Sequence, residues 1–199
     1  MSMLKKYAGW AVKEINRDRA LAYSNRHHVL KGLPAVCWCY ALFDKNDKIS
    51  GVVVYSTPTS PQIFKIFENT VLKEELLQLT RLSLPKDSVY NAGSFLVSKS
   101  LQLVKFKYPN VKSVITYCDI ENGFWGTVFK ACNWQNFGFS TKGGYQGFIV
   151  KNEFKHAKCG KANITLKNGY RPVRRSTKIR YVFFYKEYGS YSDFLKIAS

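Results

Sequence analysis

Across residues 92–108 the apolar positions Val97, Leu101, Val104 and Tyr108 recur at i, i+4, i+7 and i+11, with Ser98, Lys99, Gln102 and Lys105 on the other side. That spacing predicts an amphipathic helix with one face on a sheet. Residues 36–43 and 49–55 are β-rich runs joined by the polar Asp44-Lys-Asn-Asp-Lys48, which predicts an antiparallel hairpin. Pro58 and Pro61 break its second strand, and residues 67–77, containing Lys73-Glu-Glu-Leu-Leu77, read as helical. A strand over 78–84, the turn Pro85-Lys-Asp-Ser88, the 92–108 helix, a buried strand over 113–118 and a second helix over 123–132 then follow. Such a strand, helix, strand, helix series predicts adjacent parallel strands. Past Trp134 the chain turns aromatic and glycine-rich, with further strands expected at 146–150, 163–166 and 178–185. The pattern predicts an α/β fold, a mixed sheet that is antiparallel early and parallel in the middle, with helices packed on it. No repeat or linker divides residues 1–199, so a single domain is expected.

Length and composition agree: 199 residues with 46% hydrophobic side chains suffice for one well-buried core. Charge adds a partner. Lys and Arg number 31 against 13 Asp and Glu, a formal charge of +18, whose commonest use is contact with a polyanion. Residues 151–199 hold 12 of the basic and 3 of the acidic side chains, so the C-terminal quarter is the most basic region. There the run from Arg171 to Tyr185 interleaves Arg171, Arg174, Arg175, Lys178 and Arg180 with aromatic residues, cations that can grip phosphates beside rings that can accept an unstacked base.

Cys37, Cys39, Cys118, Cys132 and Cys159 include no Cys-x-x-Cys pair and read as reduced thiols of a cytosolic protein. No apolar run approaches the ~20 residues of a membrane helix, and no secretory segment opens the chain, so a cytoplasmic protein is expected.

Candidate chemistry gathers between the middle strands. Arg81 sits in a strand among Leu79, Leu82 and Leu84; it needs a partner there, either a structural carboxylate or a bound anion or carbonyl. Ser94 lies near the start of the 92–108 helix, where it can cap the helix or meet an anion. Asp119 follows a buried strand, where it can cap the next helix or act as general base. In an open α/β sheet these three positions fall near the carboxyl ends of the strands, where ligands bind. His27-His28 is a histidine pair whose members are expected to point apart, one of them able to act as a base or ligand.

Taken together, the Leu-Thr-Arg81-Leu strand, the Asn91-Ala-Gly-Ser-Phe-Leu helix start, the Tyr-Cys-Asp119 strand end, the Gly126-Thr-Val-Phe129 helix and the basic Arg-Ser-x-Lys-x-Arg-Tyr tail resemble the Mom DNA-modification proteins of Mu-like phages. The resemblance runs from about His27 to Tyr185. It implies a GNAT-like acyltransferase fold and a phage enzyme that converts adenine in double-stranded DNA to N6-carbamoylmethyl (acetamido) adenine, which restriction endonucleases do not recognise. By matching position it implies a site of His28, Arg81, Ser94 and Asp119. The chain departs at Val29 and Phe129, where tyrosines would be expected. It also lacks the Gln/Arg-x-x-Gly-x-Gly/Ala loop with which acyltransferases of this class bind the pyrophosphate of acetyl-CoA. Acetyl-CoA and a tRNA-linked aminoacyl (glycyl) donor both stay open, as does an iron ion on His28 and Asp119. Two further classes remain: an N-acyltransferase or aminoacyltransferase acting on a protein or small amine, and a non-catalytic nucleic-acid-binding protein.

Overall fold

A computed structural model describes residues 7–28, 30–67, 71–140, 145–150, 153–156, 171–174 and 176–185. The strand expected at 163–166, together with Val29, Cys159 and Arg175, lies outside the described residues. The elements run β1 (Ala11–Ile15), α1 (Arg17–His27), β2 (Trp38–Phe43), β3 (Ile49–Ser56), α2 (Pro61–Lys65), β4 (Leu76–Ser83), α3 (Ala92–Lys107), β5 (Ser113–Asp119), α4 (Thr127–Ala131), β6 (Gln135–Phe139), β7 (Tyr145–Val150), β8 (Glu153–His156), β9 (Arg171–Arg174) and β10 (Lys178–Phe184). Seven strands form one sheet in the order β1-β2-β3-β4-β5-β10-β6, and β8-β7-β9 form a second.

The hairpin of β2 and β3 closes on an Asx turn: Asp44 Oδ1 accepts from the Asn46 and Lys48 amides, and Asp47 adopts a left-handed φ of 57°. From β3 the chain reaches β4, which pairs antiparallel with β3 and parallel with β5, the α3 crossover lying between β4 and β5. α3 buries Leu96, Val97, Leu101 and Val104 against Tyr40, Leu42, Val53, Tyr55, Leu77 and Val114. The opposite face is covered by α1, whose Ala20 packs on Ala41, Val52 and Val54, and by α2, whose Ile63 joins Phe67 over Leu76, Ile115 and Val182.

Three expectations are corrected. Leu76 and Leu77 open β4 instead of closing a helix; among the described residues of 67–77 the helical part is a single 3-10 turn at Lys73–Glu75. The second helix is only Thr127–Ala131, because Gly123 and Gly126 both hold positive φ, 78° and 74°, and keep the preceding turns from joining it. It does not lead to a strand beside β5: β10 is inserted there, antiparallel to both β5 and β6.

Candidate active site

β4 and β5 are paired only at their beginnings. Leu76, Leu77 and Gln78 face Ser113, Val114 and Ile115, and no pairing follows, although β4 continues to Ser83 and β5 to Asp119. The two strands diverge into a cleft, with Thr116 Oγ1 donating to the Leu79 carbonyl at 3.0 Å where they part. On its other side β4 carries a bulge: Tyr55 faces Leu79 and Val54 faces Arg81, leaving Thr80 as the extra residue. The bulge decides where Arg81 goes. Leu79, Leu82 and Leu84 all pack with the α3-side core, while Arg81 is turned onto the α1 face opposite Val54.

Arg81 is half-buried, its Nη1 donating to its own neighbour's carbonyl, Thr80 O, at 2.7 Å. Its Nε is buried with no partner, and among the described residues no carboxylate meets the guanidinium. Burial pulls its pKa below the usual arginine value, the direction expected of a cation waiting for an anion or carbonyl.

His28 caps α1, its N–H donating to Ser24 O at 2.8 Å. Its Nδ1 lies 3.0 Å from the Leu30 amide nitrogen and 3.2 Å from the Leu30 carbonyl oxygen, so it accepts from the one or donates to the other according to tautomer, and when it donates Nε2 keeps its lone pair. Partial burial and then the Arg81 charge lower its pKa, so His28 and Arg81 are electrostatic neighbours. His27 stacks on Tyr23 with ring centroids 4.5 Å apart, and the two histidines do part.

Asp119 ends β5 on the same sheet face as Tyr117 and Ile115. Its side chain does not cap the following 3-10 turn. Oδ2 accepts from Ser176 Oγ at 2.5 Å and lies 3.9 Å from Lys178 Nζ, whereas Oδ1 is buried without a partner. Across the strand pair Lys178 faces Asp119 and Arg180 faces Tyr117. Of the eight buried, unpartnered side-chain polar atoms among the described residues, four come from this region: Arg81 Nε, Asp119 Oδ1, Thr177 Oγ1 and Arg180 Nε. Such atoms are costly, and their concentration on and beside three neighbouring strands marks a place suited to a polar ligand.

Ser94 lies apart from this group. It is buried on α3, on the other face of the sheet, donating to Asn91 O at 3.0 Å while its carbonyl accepts from Cys132 Sγ. The first turn of α3 is filled by protein: a side chain on Gly93 would come within 2.9 Å of Leu84 Cδ1 and 3.1 Å of Val128 Cγ2. No group of three or more His, Cys, Asp or Glu side chains that could hold an iron ion gathers among the described residues.

Of the basic tail, Lys178 and Arg180 belong to the cleft through β10, whereas Arg171 and Arg174 lie on β9 of the small sheet. Ser176 and Thr177, between them, were not expected from sequence; only the register of β10 against β5 reveals them. Phe129 is core, stacked near Trp134 and Tyr181 at 5.0 and 6.0 Å. A cavity of about 420 Å³ lined by Trp38, Lys73, Glu74, Leu77, Lys107 and Tyr108 lies at the opposite end of β4. Among the described residues no helix is long and apolar enough to cross a membrane.

The fold is that of the GNAT acetyltransferases. The chain is similar to the ribosomal-protein-S5-alanine acetyltransferase of Vibrio fischeri (TM-score 0.52, 15% identity, 88% of this chain and 93% of that one). It is similar to Arabidopsis thaliana NAA60 in complex with a bisubstrate analogue (0.56, 10%, 88% and 97%) and to a Bacillus subtilis acetyltransferase in complex with CoA (0.52, 11%, 88% and 97%). No curated protein matches the chain. A model of the Mom protein family matches residues 9–192.

Proposed function

Because the chain belongs to the Mom protein family, we propose that it is a DNA-modifying transferase that places a carbamoylmethyl group on N6 of adenine and so protects phage DNA from restriction in the host cytoplasm. The observation that carries this is the cleft itself: a carboxylate with one oxygen held and one free, cations from β10 on the strand beside it, and on β4 an arginine that meets no carboxylate among the described residues.

The amino group of adenine is a weak nucleophile, its lone pair being drawn into the ring, and it is out of reach inside a duplex. The base therefore has to leave the stack. Ser176 and Lys178 orient Asp119 through Oδ2, and Oδ1 takes the N6 proton as the new bond forms. Arg81 holds the carbonyl or carboxylate of the donor, and His28, with its Nδ1–H turned to the Leu30 carbonyl, offers Nε2 as a second proton acceptor. Ser94 acts through the fold, fixing the start of α3 by its bond to Asn91. Arg171, Arg174, Arg175, Lys178 and Arg180 meet the phosphates of double-stranded DNA.

On the donor, atom balance favours one class. A glycyl group and a carbamoylmethyl group contain the same atoms, so acyl transfer from an aminoacyl donor followed by rearrangement balances; an acetyl group lacks the nitrogen.

Mass spectrometry of nucleosides from cells expressing the protein tests the proposal. Carbamoylmethyl-deoxyadenosine is expected with the wild type and a loss of at least about 100-fold with Asp119→Asn, the usual scale of a removed general base. Unmodified deoxyadenosine throughout, with folded protein present, refutes it. The shared fold with protein N-acetyltransferases supports N-acyl transfer to a protein or small amine as the second reading; tight acetyl-CoA binding with weak, salt-insensitive DNA binding would favour it. A non-catalytic nucleic-acid binder would keep its function in Arg81→Ala and Asp119→Asn.

A further inference from the structure

Between β5 and α4 the chain forms the loop Gly123-Phe-Trp-Gly126, whose backbone is fixed while its two aromatic rings stay in solvent. The Phe124 amide donates to the Asp119 carbonyl at 3.0 Å. The Tyr181 hydroxyl donates to the Trp125 carbonyl at 3.0 Å. Gly126 lies so close to the Tyr181 ring that no side chain fits there. Phe124 is nevertheless 51% exposed and Trp125 58%. Adjacent aromatic side chains held out on a preorganised backbone are suited to binding, because little further ordering is needed when a partner arrives.

Charge selects the occupant. A second copy of the chain would bring +18 against +18, and the cations Lys178 and Arg180 lie on the strand next to β5. Aromatic rings beside cations are the standard means of holding an unstacked base together with its phosphate. The loop is hydrogen-bonded to the backbone carbonyl of Asp119, which ties it to the end of the strand that carries the carboxylate.

We propose that Phe124 and Trp125 are a stacking platform for a nucleobase that has left the DNA helix, an assignment that rests on the DNA-modifying function above. The contact is independent of base identity, since every base has a π-face, and it is separable from the phosphate grip of the tail.

The test uses the full chain and a single-stranded oligonucleotide in which 2-aminopurine replaces one adenine. Wild-type protein is expected to quench the probe and to bind it. The double variant Phe124→Ala/Trp125→Ala should lose the quench and bind about 10-fold more weakly or worse, the lower range of base–aromatic stacking. Trp125→Phe should retain most of both. Both side chains are exposed, so an unchanged thermal transition confirms that the variants fold. Unaltered quench and affinity in the double variant overturn the platform, as does a change of oligomeric state on removing the two rings. If the platform falls while the wild type still modifies DNA, the proposed function stands without it. If the wild type neither binds nor modifies DNA, both fall.

Discussion

Ser83 of β4 donates to Ser24 of α1 across 3.1 Å, and both side chains are fully buried. The pair is a polar clasp between the strand that carries Arg81 and the helix that ends in His28, whose amide bonds Ser24 O. Removing either hydroxyl strands the other. Ser83→Ala and Ser24→Ala should each cost about 1–3 kcal/mol, and the double variant less than their sum. A double-mutant cycle by urea denaturation checks this; strict additivity would mean the clasp contributes nothing as a pair.

His28 makes stability depend on pH with a definite sign. Burial and Arg81 lower its folded-state pKa below its ordinary 6.5. Protonation therefore favours the unfolded chain: the contribution is present above 6.5 and is lost as pH falls through the lower folded value. Between about pH 7.5 and pH 5 the melting temperature of the wild type should fall more than that of His28→Gln. Equal falls in calorimetry would deny His28 this role.

Gly126 combines a φ of 74° with contact against the Tyr181 ring. Gly126→Ala meets both the left-handed backbone penalty and overpacking, and should cost about 2–4 kcal/mol. Gly123, with φ 78° but open space around it, should lose only the backbone part in Gly123→Ala. Chemical denaturation of the two variants compares them directly.

DNA binding should separate the tail from the cleft. Arg171 is exposed on β9, and Arg171→Ala should weaken binding uniformly across sequences and reduce the slope of log affinity against log salt by about 1. Arg81, assigned to the donor, should leave that slope unchanged in Arg81→Ala. Fluorescence anisotropy at several salt concentrations reads both.

Much of this architecture was legible in the sequence because the relevant patterns are local. Val97, Leu101 and Val104 fix the buried face of α3 by their spacing, and the polar Asp44 turn fixes the hairpin. α1 left no such trace: its buried positions are Ala20 and Ser24, small residues that make no apolar stripe. The face of Arg81 was hidden for a different reason. Strict alternation puts it on the face of Leu79; the single extra residue at Thr80 moves it to the other face, away from Leu79, Leu82 and Leu84 alike, and a bulge has no signature in hydrophobic period. Asp119 could be picked out as a strand-end carboxylate, but its partner Ser176 lies 57 residues on, just before β10, and Lys178 at the start of that strand, both brought to it only by the topology.

The insertion of β10 between β5 and β6 also sets an order of assembly. A chain made from its N-terminus completes β1 to β6 before residues 178–184 exist, and until they arrive β5 and β6 have no strand between them and present open edges. The same segment supplies Lys178 and Arg180 to the cleft and anchors the Phe124-Trp125 loop through Tyr181. Joining β6 to the sheet and bringing Lys178 and Arg180 to the cleft are thus one late event, so a nascent chain has no stage at which the candidate site is assembled on an incomplete sheet.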